Sequence, residues 1–264
     1  MGALDGRVAI VTGASRGIGA EIARRFAAEG AAVAVAARTA DARAHPLGGS
    51  ITETAGQIEA AGGTAVAIQA DLSVTEERER LVTEVAEQLG APDILVANAA
   101  VTYFTRVEDF APRRYELMFE VQVAAPFHLA QLVIPHMRER GRGWILNISS
   151  RAGRHPELPP SQLARRGSTV YGMCKAALER FSTGLAAELY DDDIAVNALS
   201  PSRVVPTPGT VFHHLTTWDD PEAEPARVMA EAALRLCRAE PKTLTGRVTY
   251  SRPLLEELGA EIPG

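Results

Sequence analysis

The chain has 264 residues, of which 46% are hydrophobic, and this is enough for one sizeable domain with a well-buried core. Its formal net charge of −6 provides no basic surface for nucleic acid, and its two cysteines are too few for a disulfide framework. No apolar run reaches membrane-spanning length and no secretory signal pattern begins the chain, so we expect a cytoplasmic protein without a membrane partner.

Short apolar runs alternate with amphipathic helical patterns along the chain. The apolar runs predict strands at residues 8–11, 32–36, 65–69, 94–97, 143–148, 194–199 and 247–250. The patterns between them predict helices at residues 17–29, 50–61, 74–89, 113–140, 170–190 and 224–238. Such alternation predicts right-handed βαβ units, and therefore an α/β fold with a parallel sheet and helices on both faces. No repeat or linker divides residues 1–264, so we expect a single domain.

A glycine-rich turn follows the first predicted strand. Gly13, Gly17 and Gly19 have the spacing G-x-x-x-G-x-G. One glycine forms the turn, one lets a pyrophosphate approach the backbone, and one lets the following helix pack close to the strand. The free amides at the beginning of that helix would face the phosphates, helped by the helix dipole. Because a strand precedes the turn and a helix follows it, the segment predicts a dinucleotide site.

The end of the second strand bears on the identity of the dinucleotide. A site for NAD usually has an acidic residue here, which accepts a hydrogen bond from the ribose 2′-hydroxyl. This chain has Arg38 and Thr39 instead, and Arg16 in the glycine turn can reach the same region. Two guanidinium groups suit a 2′-phosphate, so we predict NADP in preference to NAD. The alternative is that both arginines are solvated surface residues.

Further candidate cofactor residues follow the third and fourth strands. The Asp71 carboxylate can accept from the adenine amino group, with the Leu72 backbone beside it. Helix capping is the alternative role for Asp71, although Ser73 would serve better as the cap. The run Asn98-Ala99-Ala100 ends the fourth strand at the sheet edge where ligands bind, and its amide side chain can tie neighbouring strands and line the cofactor floor.

A tyrosine and a lysine four residues apart carry the predicted chemistry. Tyr171 and Lys175 share one face of the predicted helix, one turn apart. A lysine ammonium near a phenol favours the phenolate and lowers the phenol pKa. The phenol can then exchange a proton with a carbonyl or alcohol oxygen near neutral pH, and Ser150 after the fifth strand can hold the same oxygen.

Together these residues resemble the short-chain dehydrogenase/reductases over residues 6–246. The shared motifs are Thr12-Gly13-Ala14-Ser15-Arg16-Gly17-Ile18-Gly19, Asp71, Asn98-Ala99-Ala100, Asn147-Ile148-Ser149-Ser150, Tyr171-x-x-x-Lys175 and Asn197-Ala198-Leu199-Ser200-Pro201. The resemblance implies a Rossmann-type, doubly wound, seven-stranded parallel sheet. It implies that Tyr171 is the general acid/base, that Ser150 orients the substrate oxygen, and that Lys175 holds the nicotinamide ribose and tunes Tyr171.

The resemblance also completes the expected cofactor site and suggests an assembly. Besides the residues already named, it assigns Ser15, Ile18, Tyr171, Lys175, Pro201, Ser202 and Val204 to cofactor binding. The apolar helices at residues 118–137 and 176–189 would form contacts between subunits, which gives a homodimer or homotetramer. The alternative for these helices is a well-covered core position.

Four departures from the family pattern stand out. Ala100 replaces a glycine beside the cofactor, and Gln122 replaces the asparagine that supports a water-mediated proton relay to the lysine. We include Gln122 among the catalytic candidates because it keeps the amide, although it is one methylene longer. Ser202 replaces the glycine after Pro201. The usual glycine-rich ending is replaced by Tyr250-Ser251-Arg252-Pro253 and a tail rich in Leu and Glu.

Two further segments are expected beside the active site. The stretch 154–168 is longer than usual, and Arg154, His155, Arg165 and Arg166 can receive an acidic or CoA-bearing substrate; a solvated loop or subunit contact is the alternative. Residues 200–226 look like the substrate lid, in which Trp218 packs over a substrate or the base of the lid. Its adjacent histidines, His213 and His214, point apart without a third ligand near in sequence, so we predict no metal.

The sequence therefore predicts an NADP-dependent oxidoreductase that interconverts a small-molecule carbonyl and a secondary alcohol. The main alternative is a regulatory or sensor protein that binds a dinucleotide with weakened catalysis. Gln122 and Ala100 favour that alternative, whereas the intact Ser150, Tyr171 and Lys175 argue against it.

Overall fold

The computed structural model describes residues 2–42 and 47–264, without the side chains of residues 162 and 163. Its centre is a seven-stranded sheet in which every neighbouring pair is parallel. The strands are β1 (Val8–Thr12), β2 (Ala32–Ala37), β3 (Thr64–Gln69), β4 (Ile94–Ala97), β5 (Gly143–Ile148), β6 (Ile194–Ser200) and β7 (Val248–Tyr250). Strands β1, β4, β5 and β6 are buried throughout, because helices cover both faces of the sheet. The predicted α/β, Rossmann-type sheet is confirmed.

The sheet order is β3-β2-β1-β4-β5-β6-β7, so the winding direction reverses between β1 and β4. Ala9 of β1 pairs with Val33 of β2 on one side and with Ile94 of β4 on the other. The connections that leave β1 and β4 run to opposite faces of the sheet. A crevice therefore opens at the carboxyl ends of these two strands, where ligands bind in folds of this class.

Five of the six predicted helices begin and end within two residues of their predicted bounds. They are α1 (Gly17–Ala28), α2 (Ile51–Ala60), α3 (Thr75–Gln88), α4 (Pro112–Phe119), α5 (Ala125–Arg140), α6 (Gln162–Arg165), α7 (Thr169–Glu188), α8 (Pro208–Phe212), α9 (Ala226–Arg238) and α10 (Ser251–Glu257). Three short helices, α6, α8 and α10, were not predicted. The tail after β7, which the sequence indicated only as rich in Leu and Glu, contains α10 with Leu254 and Leu255 buried.

The predicted continuous helix at 113–140 is wrong in its middle. A wide turn of π-helix, Glu120–Ala124, separates α4 from α5. Pro126 explains the position of this turn, because a proline has no amide to donate to the carbonyl four residues earlier, that of Gln122. The interruption places the buried Gln122 side chain in the wide turn instead of in a regular helix.

The stretch Pro112–Arg140 is long and apolar enough to cross a membrane, by length and composition alone. By this test, the expectation that no apolar run reaches membrane-spanning length is wrong. In the fold, α5 lies against the sheet with Leu129, Val133 and Met137 buried in the core. A covered core helix passes the same compositional test.

Candidate active site

The carboxyl ends of the parallel strands gather the predicted site residues along one edge of the sheet. The residues that follow the strands are Gly13, Ser15 and Arg16 after β1; Arg38 and Thr39 after β2; Asp71 and Leu72 after β3; Asn98, Ala99 and Ala100 after β4; Ser150 after β5; and Pro201, Ser202 and Val204 after β6. Gly17, Ile18 and Gly19 form the first turn of α1, and Tyr171 and Lys175 lie on α7.

The glycine turn forms a cradle that side chains would fill. Gly13 has a φ of +64° and Gly17 a φ of +58°, a conformation that L side chains rarely adopt. A Cβ on Gly13 would lie 2.8 Å from the Cα of Ala99, and one on Gly17 would lie 2.9 Å from the Thr207 methyl. A Cβ on Gly19 would lie 2.5 Å from the Gly13 carbonyl oxygen. The space and the amides at the beginning of α1 fit a dinucleotide pyrophosphate.

Asn98 ties the glycine turn to β4. Its Nδ2 donates to the carbonyl oxygens of Thr12, at 2.9 Å, and Gly13, at 3.2 Å. The Thr12 hydroxyl accepts from the amides of Asn98 and Ala99 and donates to the Val96 carbonyl. These bonds fix the two strand ends that border the crevice, which is the tying role expected of Asn98.

Two guanidinium groups lie near each other beyond the ends of β1 and β2. Arg16 Nη2 donates to the Thr39 hydroxyl, at 3.3 Å, and to the Gly49 carbonyl, at 3.0 Å. Arg38 is exposed. Burial lowers the pKa of Arg16, and the positive charge of Arg38 acts in the same direction. A doubly charged phosphate between these groups would relieve their repulsion.

The carboxylate and the amide of Asp71 form hydrogen bonds with residues close to it in sequence. Its Oδ1 accepts from the Ser73 amide, at 2.9 Å, and from the Ser73 hydroxyl, at 2.7 Å. The Asp71 amide donates to Glu77 Oε2 at 2.6 Å. The expectation that Ser73 caps the next helix is wrong, because Val74 occupies the cap position without a side-chain bond. Leu72 is buried, with its carbonyl accepting from Arg78.

Ser150, Tyr171 and Lys175 come together as predicted. The Ser150 hydroxyl lies beside the Tyr171 phenol, where hydrogen bonding acts to lower the phenol pKa. Lys175 is 3% exposed, and its Nζ donates to the Ile148 carbonyl at 2.9 Å. Its Nζ also lies 5.6 Å from the centroid of the Tyr171 ring. The three groups that can hold a substrate oxygen and move its proton therefore share one corner of the crevice.

The pKa values of this trio differ from the expectation. Burial raises the pKa of Tyr171, against the smaller opposite effect of the Ser150 hydrogen bond. The predicted lowering by Lys175 is wrong for this structure, because the ammonium is held on the Ile148 carbonyl and burial dominates. Burial also lowers the pKa of Lys175 to about 8, although Cys174 and Glu179 partly oppose it.

Gln122 lies in the wide turn, which packs against α7. Its Nε2 donates to the Val101 carbonyl at 2.9 Å, and the residue is 1% exposed. Its Oε1 is buried without a hydrogen-bond partner among the described residues. The amide therefore holds the loop after β4, and one polar atom remains for a further partner.

Sequence reasoning missed an aromatic contact beside Tyr171. The Phe104 ring stands edge-on to Tyr171, with 5.9 Å between centroids, and edge-on to His213, with 5.3 Å. Burial lowers the pKa of His213, and the charge of Arg166 adds to this effect. A spacing rule could not find Phe104, since it lies in a loop and its partners are remote in sequence. Thr207, whose methyl faces Gly17, was missed for the same reason.

The two predicted flanking segments differ in how they meet the crevice. Gly167 of the 154–168 stretch packs on the backbone of Thr105, and Arg166 acts electrostatically on His213. Arg154 instead lies over the Tyr250 ring, 4.5 Å from its centroid. In the lid, Trp218 is 60% exposed rather than packed on the lid. Within residues 2–42 and 47–264, no group of three or more metal-ligand side chains is placed to hold a metal ion.

Comparisons with known proteins agree with this geometry. A family model described as short chain dehydrogenase matches residues 7–213. An uncharacterized oxidoreductase of Methylorubrum extorquens is 39% identical over 210 residues, which are 80% of this chain and 77% of that protein. The hydroxysteroid dehydrogenase-like protein 2 of Pongo abelii is 31% identical over 98% of this chain. The chain spans only 60% of the length of that relative.

A solved structure of a short chain dehydrogenase has a similar fold. The short chain dehydrogenase of Burkholderia cenocepacia in complex with NADP superposes with a TM-score of 0.78 at 29% identity. The match covers 94% of this chain and 97% of that one. The family model spans most of the chain, and the fold superposes on that of a solved relative over nearly its whole length. The chain belongs to the short chain dehydrogenases, a family of oxidoreductases.

Proposed function

We propose that this protein is an NADP-dependent oxidoreductase that interconverts a carbonyl group and a secondary alcohol on a small molecule. The observation that carries the proposal is that the Tyr171 phenol lies beside the Ser150 side chain and one helical turn from the buried ammonium of Lys175. A protein that only binds a dinucleotide has no need for a phenol, a hydroxyl and an ammonium gathered at one point of the crevice.

In the direction of reduction, Tyr171 is the general acid. Its raised pKa keeps the phenol protonated at neutral pH, ready to donate to the carbonyl oxygen of the substrate. Ser150 donates a second hydrogen bond to the same oxygen and so stabilises the negative charge that develops there. NADPH, when bound, supplies the hydride. In the direction of oxidation, Tyr171 acts as the general base and accepts the proton of the alcohol.

The cofactor site follows the order of the strands. The amides and small side chains of the glycine turn, from Gly13 to Gly19 with Ser15 and Ile18, take the pyrophosphate. The 2′-phosphate is bound by Arg16, Arg38 and Thr39. Their two positive charges support NADP rather than NAD, because only NADP carries this phosphate. The remaining contacts are Asp71 and Leu72 at the adenine; Asn98, Ala99 and Ala100 along the floor; and Tyr171, Lys175, Pro201, Ser202 and Val204 at the nicotinamide end. Relatives solved with NADP add support for this choice.

The proposal includes a single domain over residues 1–264, with the lid at about 200–226, in a cytoplasmic homodimer or homotetramer. Exposed apolar side chains on α5 and α7 support the assembly. Phe127 is 49% exposed with its ring 5.7 Å from that of Phe181, and Met173 is 45% exposed on α7.

A regulatory dinucleotide-binding protein is the second candidate. The unpaired Oε1 of Gln122 favours it, because a longer amide in the wide turn can rearrange the proton relay that passes to Lys175. In this case the crevice would bind NADPH without turnover.

The experiment that separates the two is NADPH oxidation by the purified protein. The panel contains ketones, aldehydes, quinones, 3-oxoacyl thioesters and ketosteroids, with NADH run in parallel. Turnover of any member with NADPH supports the enzyme. No NADPH oxidation with any member of the panel, together with tight NADPH binding by fluorescence titration, favours the regulatory protein.

A further inference from the structure

A buried carboxylate joins the two ends of the lid to the last helix. Glu224, at the end of the lid, and Ser251, the first residue of α10, are both 0% exposed. Ser251 Oγ donates to Glu224 Oε1 at 2.5 Å. The same hydroxyl accepts from the amide of Ser202, at the beginning of the lid, at 3.0 Å.

A second set of bonds closes this arrangement into a ring, which we call the lid clasp: Ser202, Glu224, Ser251 and Arg252. The hydroxyl oxygens of Ser202 and Ser251 lie 3.0 Å apart, and Ser202 Oγ accepts from the Arg252 amide at 3.0 Å. Arg252 Nε lies 3.3 Å from Glu224 Oε2. The Glu224 amide donates to the Val204 carbonyl at 2.9 Å, so both lid ends are fixed to each other as well.

The lid clasp also reaches the loop that carries Ser150. Arg151, the next residue, donates to the Ser202 carbonyl. Three polar atoms of Ser202, its amide, its hydroxyl and its carbonyl, are therefore held by residues outside its own segment. The segment 201–204 has its position set from the last helix on one side and from the catalytic loop on the other.

Two departures from the family pattern contact each other in the lid clasp. Ser202 stands where a glycine is usual, and Ser251 stands in the unusual ending after β7. A glycine at 202 would offer no hydroxyl to the Arg252 amide. Burial of a carboxylate is costly unless it is paired. Among the described residues, Glu224 Oε1 accepts from Ser251, whereas Oε2 faces Arg252 Nε as an ion pair without a hydrogen bond.

We propose that Glu224 and Ser251 are positioning residues that hold the segment 201–204 ready for the nicotinamide end of the dinucleotide. This inference rests on the proposed function of the crevice. A segment that is ordered before binding does not lose conformational freedom when the ligand arrives, and this favours affinity. Loss of the lid clasp therefore weakens NADPH binding more than it slows the chemical step.

Hydrogen exchange and NADPH titration on the full chain test the lid clasp. In Ser251→Ala and Glu224→Ala, we expect exchange of the Ser202 amide, which donates to Ser251 Oγ, to rise about tenfold, as for a lost local hydrogen bond. The Kd for NADPH is expected to rise by a similar factor, with kcat at saturating NADPH within about threefold of wild type. Glu224→Gln keeps an acceptor for Ser251 and should restore most of the protection and affinity.

Glu231→Gln is the matched control. Glu231 is also a buried carboxylate, held by Arg25 at 2.9 Å and Arg235 at 2.6 Å, but it lies on α9 outside the lid clasp. The Glu231→Gln substitution should lower Tm without changing amide hydrogen exchange in the segment 201–204 or the Kd for NADPH.

Each outcome decides one proposal. Wild-type exchange and wild-type Kd in Ser251→Ala, or the same increases in Glu231→Gln, would overturn the role of the lid clasp. If the wild-type protein binds neither NADPH nor NADH, the proposed function fails, and the positioning role fails with it even where exchange reports a held segment. If Ser251→Ala does not fold, Glu224→Ala and Glu224→Gln supply the same comparison.

Discussion

The ring of Phe104 stands edge-on to that of His213, with 5.3 Å between their centroids. Phe104 also stands edge-on to Tyr171 on its other side. Since His213 belongs to the lid and Tyr171 to α7, one aromatic side chain in the loop after β4 connects the lid with the proposed acid. Burial lowers the pKa of His213, so its imidazole is neutral at pH 7 and packs as an aromatic ring.

Phe104→Ala is expected to reduce kcat/KM about tenfold. The substitution removes two edge-to-face ring contacts, each worth about 1 kcal/mol, and leaves Tyr171 and the lid without a common support. Cofactor affinity should change little, because Phe104 is outside the proposed cofactor site. Steady-state kinetics on the best substrate of the panel and NADPH titration measure both quantities.

Tyr190→Ala is the control for this variant, because Tyr190 is an exposed aromatic residue just beyond the carboxyl end of α7. It should leave kcat/KM within about twofold of wild type. A Phe104→Ala protein with unchanged kcat/KM would show that the contact does not support the active site.

Arg38→Asp is expected to change cofactor preference. An aspartate at this position repels a 2′-phosphate and can accept from a 2′-hydroxyl, so the Kd for NADPH should rise at least tenfold while that for NADH falls or stays constant. Fluorescence titration with both nucleotides measures the ratio. Arg80→Asp is the matched control, because Arg80 lines the same cavity as Arg38 and Asp71 and the substitution makes the same change in charge. It should raise the Kd for NADPH less than Arg38→Asp does. Unchanged NADPH affinity in Arg38→Asp would contradict the assignment of Arg38.

The strands and the glycine turn were predictable because their signals are local. A β-branched or small apolar run followed by G-x-x-x-G-x-G identifies β1 and its turn from neighbouring residues alone, and β4 and β5 match their predicted bounds. The parallel topology followed from the alternation of patterns. The turn within 112–140 also has a local signal, Pro126, which has no amide to donate to the carbonyl four residues earlier.

Contacts between distant segments were not predictable in this way. Ser202 and Ser251 are 49 residues apart, and each was noted only as a departure from a pattern. Their hydrogen bond depends on the packing of α10 against the lid, for which a single sequence carries no periodic signal. The direction of the Tyr171 pKa likewise depends on burial, which the spacing of Tyr171 and Lys175 does not report.

Tyr171→Phe is expected to lower kcat at least a hundredfold and to leave the Kd for NADPH within about twofold. Phenylalanine keeps the ring that contacts Phe104 but has no proton to donate, and general acid catalysis contributes about 10²–10⁴ in rate. Single-turnover oxidation of NADPH measures the chemical step directly. Tyr190→Phe removes an exposed hydroxyl and should behave as wild type. Turnover retained in Tyr171→Phe would remove Tyr171 from the role of acid.

Lys175 gives a pH-dependent contribution to stability. Its pKa is about 8 in the folded protein and 10.5 as the ordinary value, so the unfolded chain binds more protons than the folded one between these limits. The free energy of unfolding therefore rises with pH across this window, and below pH 8 both states are protonated and the contribution is constant. A shift of this size corresponds to about 3 kcal/mol.

Urea unfolding from pH 7 to 10.5 measures this contribution as the difference between the wild-type protein and Lys175→Met. The variant keeps a long apolar side chain but cannot titrate, so other groups that titrate in this range cancel in the difference. The free energy of unfolding of the wild-type protein minus that of Lys175→Met should increase by about 3 kcal/mol as pH rises from 8 to 10.5. A constant difference would show that Lys175 keeps an ordinary pKa, and a falling one that its ammonium is stabilised in the fold.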